Sequence, residues 1–142
     1  MDIEFIEVTK SKEHVSELYG ILQKRNHNIS HVNMPTLKEH TDFVKNHPYR
    51  KWYLIKKGSL SEGSMYIQND NTISINLIKV NFSIVKKALD FIFENHSPLE
   101  GIPSVRSSQF NLNVPPSNEA LIDCLRSYGS ELVEMRYVIK KK

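Results

Sequence analysis

A chain of 142 residues with 39% hydrophobic and 25% charged residues has the composition of a folded globular protein, and its length suits one domain, residues 1–142, with one core. No apolar run reaches the roughly 20 residues that span a bilayer. Asp2, Glu4 and Glu7 interrupt the first apolar residues where a secretory leader would be basic and then apolar, so a cytoplasmic protein with no membrane partner is expected. Cys124 is the only cysteine, which rules out an internal disulfide and a Cys-rich zinc site, and the formal net charge of +3 lies partly in the terminal Lys140-Lys141-Lys142 run, a weak argument for any partner.

The apolar and acidic mixture of Ile3 to Val8 predicts an edge strand, after which Ser11 is placed to cap a helix carrying Val15, Leu18 and Leu22 on one stripe. Asn26 to Pro35 is a loop by composition. Thr36-Leu37-Lys38-Glu39 is a capping box that opens a short second helix, and His47-Pro48 should end it, because the residue before proline is pushed out of the helical region. Arg50 to Lys57 reads as a largely buried strand. A turn-rich stretch from Gly58 to Gly63, a strand from Ser64 to Gln68, a turn at Asn69-Asp70-Asn71 and a strand from Ile73 to Ile78 complete an antiparallel meander.

The period then becomes helical, with Ile84, Val85, Ala88, Leu89, Ile92 and Phe93 on one stripe and Ser83 as the N-cap. Asn95 to Pro103 closes that helix. A strand from Val105 to Val114 follows, and a crossover of this length predicts parallel pairing with the Ile73 strand. A further helix, Ser117 to Tyr128, carries Leu121, Cys124, Leu125 and Tyr128 on one face and stops at Gly129. A closing strand is predicted from Leu132 to Lys140. The fold class is α/β (α+β): a mixed sheet of about six to seven strands, a meander followed by a parallel pair, with four helices on both faces.

This order resembles the GCN5-related N-acetyltransferases (GNAT proteins) over nearly the whole chain. Glu62-Gly63-Ser64-Met65-Tyr66-Ile67 looks like the family's third strand, and Lys86-Lys87-Ala88-Leu89 like the helix after its pyrophosphate loop. Asn118, Ala120, Leu121 and Gly129 are similar to the helix before its last hairpin. The stretch from Ile29 to Tyr53 also resembles a subgroup associated with nucleotide-sugar acylation.

The resemblance implies acetyl-CoA or another acyl-CoA as cosubstrate, a small-molecule primary amine as acceptor, an amino sugar nucleotide being one candidate, and a monomer or homodimer. It places the pantetheine in a gap beside the Ile73 strand, against Leu77 and Ile78, and the pyrophosphate at Asn81, Phe82, Ser83, Ile84 and Val85, where helix amides and dipole favour an anion. Asn118 joins the cofactor set. The family's glycine-rich loop reads Val80, Ser83 and Val85 here, and its thiol-protonating tyrosine falls at Leu125, with Tyr128 three residues on.

Among individual residues, His31 is a candidate base, because an imidazole can take a proton from an ammonium near neutral pH. A loop histidine bonded to local backbone is the plainer reading. Asn33, Tyr53 and Tyr66 join His31 as candidate acceptor contacts, although aromatics on central strands such as Trp52 and Tyr53 are commonly core. Glu39 is most simply the capping-box acid, and Cys124 a small buried hydrophobe. The histidines form no metal signature. Arg106, Arg126 and Arg136 lack the clustering of a nucleic-acid face. Val80, Val85 and Leu125 keep a second reading open, a non-catalytic GNAT-like module that binds another ligand or a protein.

Overall fold

A computed structural model describes residues 2–28 and 33–142, so His31 and the loop around it lie outside the described residues. The elements are β1 (Ile3–Glu7), α1 (Lys12–Asn28), α2 (Leu37–Asn46), β2 (Lys51–Lys57), β3 (Leu60–Ile67), β4 (Thr72–Leu77), α3 (Phe82–Asn95), β5 (Asn111–Leu112) and α4 (Glu119–Tyr128). They build one five-stranded sheet in the order β1-β2-β3-β4-β5, antiparallel except for the β4–β5 pair.

Local chemistry accounts for most boundaries. The Thr36 hydroxyl accepts from the Glu39 amide at 3.1 Å while the Glu39 carboxylate accepts from the Thr36 amide at 3.0 Å, and His47 leaves the helix in an extended conformation before Pro48. β2 and β3 meet in a two-residue turn with Gly58 at φ 63°, the left-handed position that a tight hairpin gives to glycine. The hairpin therefore starts β3 at Leu60, four residues before the expected Ser64.

Alternation along the strands divides the core between two faces. Tyr53, Ile55, Met65, Ile67, Ile73, Ile75 and Leu77 pack under α3 and α4, whose Val85, Ala88, Leu89, Ile92, Leu121 and Cys124 complete that half. Trp52 and Leu54 point the other way, under Val15, Leu18 and Ile21 of α1 and Val44 of α2.

Two expectations at the C-terminal end are corrected. The strand predicted over Val105 to Val114 pairs only at Asn111–Leu112, because the chain from Leu99 to Ser107 is held instead as a loop around Asn71, whose side-chain amide donates to both the Leu99 and Ser107 carbonyls. The predicted closing strand is absent from the sheet. Residues 131–142 lie exposed, so the sheet has five strands rather than six or seven.

Candidate functional site at the opening between β4 and β5

β4 and β5 pair at Thr72–Asn111 and Ile73–Leu112 and then part, leaving four residues of β4, Ser74 to Leu77, with no β5 partner. On the other edge, Gln68 donates to the Thr72 carbonyl at 2.8 Å and the Ile78 amide donates to the Glu62 carbonyl at 3.0 Å. Backbone groups in an antiparallel ladder alternate direction, so residues 72, 74, 76 and 78 are bonded to β3 while those of Ile75 and Leu77 point into the opening. The Leu77 backbone thus faces the opening, as does that of Ile75, a position the sequence reading missed and only the strand register reveals, whereas the Ile78 amide serves the sheet.

The opening leads to the start of α3. Asn81, extended at φ −144°, is the N-cap, and its carboxamide oxygen accepts from the Ile84 amide at 3.1 Å. The expected cap, Ser83, is the second helical residue. Val85 donates to the Asn81 carbonyl at 3.0 Å. That bond is the first of the helix, so among the donors a helix start leaves without an intrahelical acceptor Ile84 is satisfied by the Asn81 side chain, whereas the Phe82 and Ser83 amides have no partner among the described residues. They can hold an anion with the positive end of the dipole behind them.

Val85 does not obstruct that approach, because its side chain is fully buried in the core. Val85→Gly should therefore leave any anion affinity unchanged. It should cost roughly 3 kcal/mol of stability from cavity formation and helix propensity together, a melting-temperature loss of roughly 10 °C. A thermal scan beside an acetyl-CoA titration checks both expectations.

Tyr128 lies on the α3–α4 contact, where its hydroxyl donates to Asp90 at 2.9 Å. Burial and the adjacent Asp90 push the phenol up to about 12, so it keeps its proton at neutral pH. Asp90 also accepts from Lys86, and these two hydrogen bonds hold its carboxyl below the usual range. Asp90 is eight residues beyond Phe82, about 12 Å along the helix axis. The Tyr128 hydroxyl is thereby held well back from the free amides. Asn118 caps α4, accepting from the Leu121 amide at 3.2 Å, a structural duty that explains its position.

On the α1–α2 side of β4, Ser74 donates to the Asn76 carboxamide oxygen at 3.3 Å, with Tyr66 directly opposite Ser74 on β3. Tyr66 stacks on Tyr49 with ring centroids 3.7 Å apart and planes 6° from parallel. Burial, then the neighbouring Tyr66, raises the Tyr49 phenol well above its ordinary range. Arg25, near the end of α1, interacts electrostatically with Tyr66, while burial lowers its pKa. This wall offers a hydroxyl, a carboxamide, aromatic rings and a guanidinium, but no carboxylate from β4.

Tyr53 does not share the wall. Adjacent strand residues face opposite ways, so Tyr53 lies in the α3–α4 half of the core, sharing a 2.6 Å hydrogen bond with His96. Asn33 is exposed just before α2. A groove of about 220 Å³, lined by Glu17, Lys24, Ser59, Ser61 and Ile78, lies between α1 and the β2–β3 turn. No group of His, Cys, Asp or Glu among the described residues could hold a metal ion. None of their helices is long and apolar enough to cross a membrane.

Three histidines give this region a pH dependence. Burial lowers His40, whose ring Nε2 donates to the Val15 carbonyl at 3.0 Å. Burial with Lys10 lowers His47, and burial with Arg50 and Lys51 lowers His96. The unfolded chain, with histidines near 6.5, takes up protons before the folded one does. Stability is therefore full above the unfolded value and falls as pH drops through it toward the lower folded values. The melting temperature should decrease between about pH 7 and pH 5, and His40→Gln should flatten that slope; an unchanged slope would remove His40 from the account.

An antiparallel meander, a parallel pair that parts after Ile73, and a helix starting at the open end constitute a GNAT-like fold. Among solved structures, an integron cassette protein from the mobile metagenome of V. cholerae superposes with TM-score 0.62 at 10% identity, covering 99% of this chain and 94% of its own. An aminoglycoside acetyltransferase from an uncultured soil metagenomic sample, in complex with sisomicin, matches with TM-score 0.59 at 8% identity over 97% of both chains. A possible acetyltransferase from Clostridium difficile 630 matches with TM-score 0.56 at 12% identity, over 98% of this chain and 99% of its own. No protein-family model and no curated protein sequence matches the chain.

Proposed function

We propose that the chain is a cytoplasmic N-acyltransferase that moves an acetyl or other acyl group from acyl-CoA to the primary amine of a small molecule. The observation that carries this reading is the opening itself. The inward-facing backbone of Ile75 and Leu77 suits the amide-rich pantetheine arm, and the free Phe82 and Ser83 amides suit its pyrophosphate. Acetyltransferases among the structural neighbours support the same reading.

In this reading a neutral amine enters from the Ser74, Asn76 and Tyr66 side and attacks the thioester carbonyl directly, with no covalent enzyme intermediate. The Leu77 amide donates to the carbonyl oxygen as charge develops on it. With no carboxylate on β4, a water held by Ser74 and Asn76, or His31, receives the ammonium proton. Tyr128, with its firmly held proton, supplies the leaving thiolate once its hydroxyl leaves Asp90. Arg25 and the Tyr49–Tyr66 pair would suit an acceptor with a phosphate and a flat ring, such as an amino sugar nucleotide.

The second reading is a non-catalytic module that keeps the fold. The Tyr128–Asp90 hydrogen bond favours it, because it ties the remaining candidate acid to a structural contact. Release of free CoA thiol from acetyl-CoA, followed with a panel of primary amines including amino sugar nucleotides, separates the two. Amine-dependent release, slowed in Tyr128→Phe, is the expected result. Acetyl-CoA binding without release for any amine would support the module.

A further inference from the structure

The sheet ends at β5, whose edge away from β4 has no strand beside it among the described residues. The same chain carries an unused strand. After Gly129, at φ 106°, and the last α4 cap bond from the Ser130 amide to the Leu125 carbonyl, residues 131–142 make no hydrogen bond or ion pair among the described residues. Leu132, Val133, Met135, Tyr137, Val138 and Ile139 are each 66–89% exposed. Alternation puts Val133, Met135, Tyr137 and Ile139 on one wholly apolar face, and Glu134, Arg136 and Lys140 on the other with Leu132 and Val138.

The open edge is shaped for such a strand. Phe110, Leu112 and Val114 around β5 alternate onto the α3–α4 half of the core but are only partly buried there, as expected where a neighbouring strand is missing. Phe93 of α3, in edge contact with Phe110, is 55% exposed. An unpaired edge and an exposed apolar strand are each aggregation hazards that natural proteins cover. Here each chain has one of both, so reciprocal exchange in a closed two-fold arrangement pairs each β5 edge with a strand and covers that strand's apolar face.

We infer that the chain forms a strand-exchanged homodimer in which residues 132–140 of each copy pair with the free edge of β5 in the other, the Val133–Ile139 face extending the partner's core. The occupant is a second copy, because the segment lies exposed and unpaired instead of on its own β5 edge, while its charged opposite face is suited to remain in water. The inference does not depend on the acyl-transfer reading.

Light scattering coupled to size exclusion, at micromolar concentration, should give twice the 16.5 kDa of one chain, with the amides of 132–140 protected from hydrogen exchange. Met135→Asp combined with Tyr137→Asp should halve the mass while a cooperative thermal transition persists. A Cys124→Ala protein with Asn113→Cys and Arg136→Cys, treated with a long flexible bis-maleimide, should yield covalent dimers. Internally linked monomers would place the strand on its own sheet and overturn the exchange. A monomer by mass, or a dimer whose tail stays unprotected and is indifferent to the aspartate substitutions, would overturn it equally.

Discussion

Asn71→Ala should destabilise the protein by about 4 kcal/mol, because this one fully buried side chain holds three hydrogen bonds and the loss leaves their partners stranded. Its carboxamide nitrogen donates to the Leu99 carbonyl at 2.9 Å and the Ser107 carbonyl at 2.8 Å, and its oxygen accepts from the Leu99 amide at 2.7 Å. The residue also sits at φ 70°, a region that asparagine tolerates better than alanine. Its own carbonyl accepts from Asn111 at 3.1 Å, so the same residue fixes where β5 meets β4 and where the two strands begin to part. Asn71→Asp should be nearly as damaging, since an oxygen would then face two carbonyls. Chemical denaturation checks both, and a loss under 1 kcal/mol for either would refute the role.

Gly63→Ala is expected to strain the site as well as the fold. A Cβ on Gly63 would run into the Asn76 carbonyl oxygen and come within 2.9 Å of Leu77 Cα, both backbone atoms of the strand that borders the opening. The crowding follows from a bulge: Ile55 pairs with Gly63 but Lys56 with Ser61, so Glu62 is the extra residue and β3 presses toward β4 at Gly63. Relief requires β4 to move. The cost should be about 1–3 kcal/mol for alanine and more for valine, with faster hydrogen exchange at Ile75 and Leu77. If acyl-CoA occupies the opening, its affinity should fall in parallel; unchanged exchange along β4 would contradict the assignment of strain.

Much of the fold was legible because its signals are local. The Thr36–Glu39 box, the His47-Pro48 stop, the Gly129 cap and the apolar stripe of α3 each follow from residues within a turn or two of one another. What was hidden depends on register. Tyr53 and Tyr66 were grouped although only the pairing of Trp52 with Tyr66 shows which ring shares which face. That the Ile75 backbone faces the opening and the Ile78 amide does not is hidden in the sequence, because the direction of a backbone amide is set by its partner strand, not by its side chain. The closing strand illustrates a third limit: Leu132 to Lys140 alternates as a strand does, yet these residues pair with no strand of the sheet, because alternation does not say against which edge a segment lies.

The most direct test of the acyl-CoA reading is calorimetric titration of acetyl-CoA into the parent protein, Phe82→Pro and Phe82→Ala. Proline is tolerated at a first helical position that follows an extended residue, as Asn81 is, and relative to the alanine variant, which also lacks the ring, it removes the amide proton. The account predicts measurable binding to the parent, little further change for Phe82→Ala, and a loss of about tenfold to a hundredfold for Phe82→Pro, the worth of one hydrogen bond to a charged group. No binding at millimolar acetyl-CoA, or equal affinities for the proline and alanine variants, would contradict it.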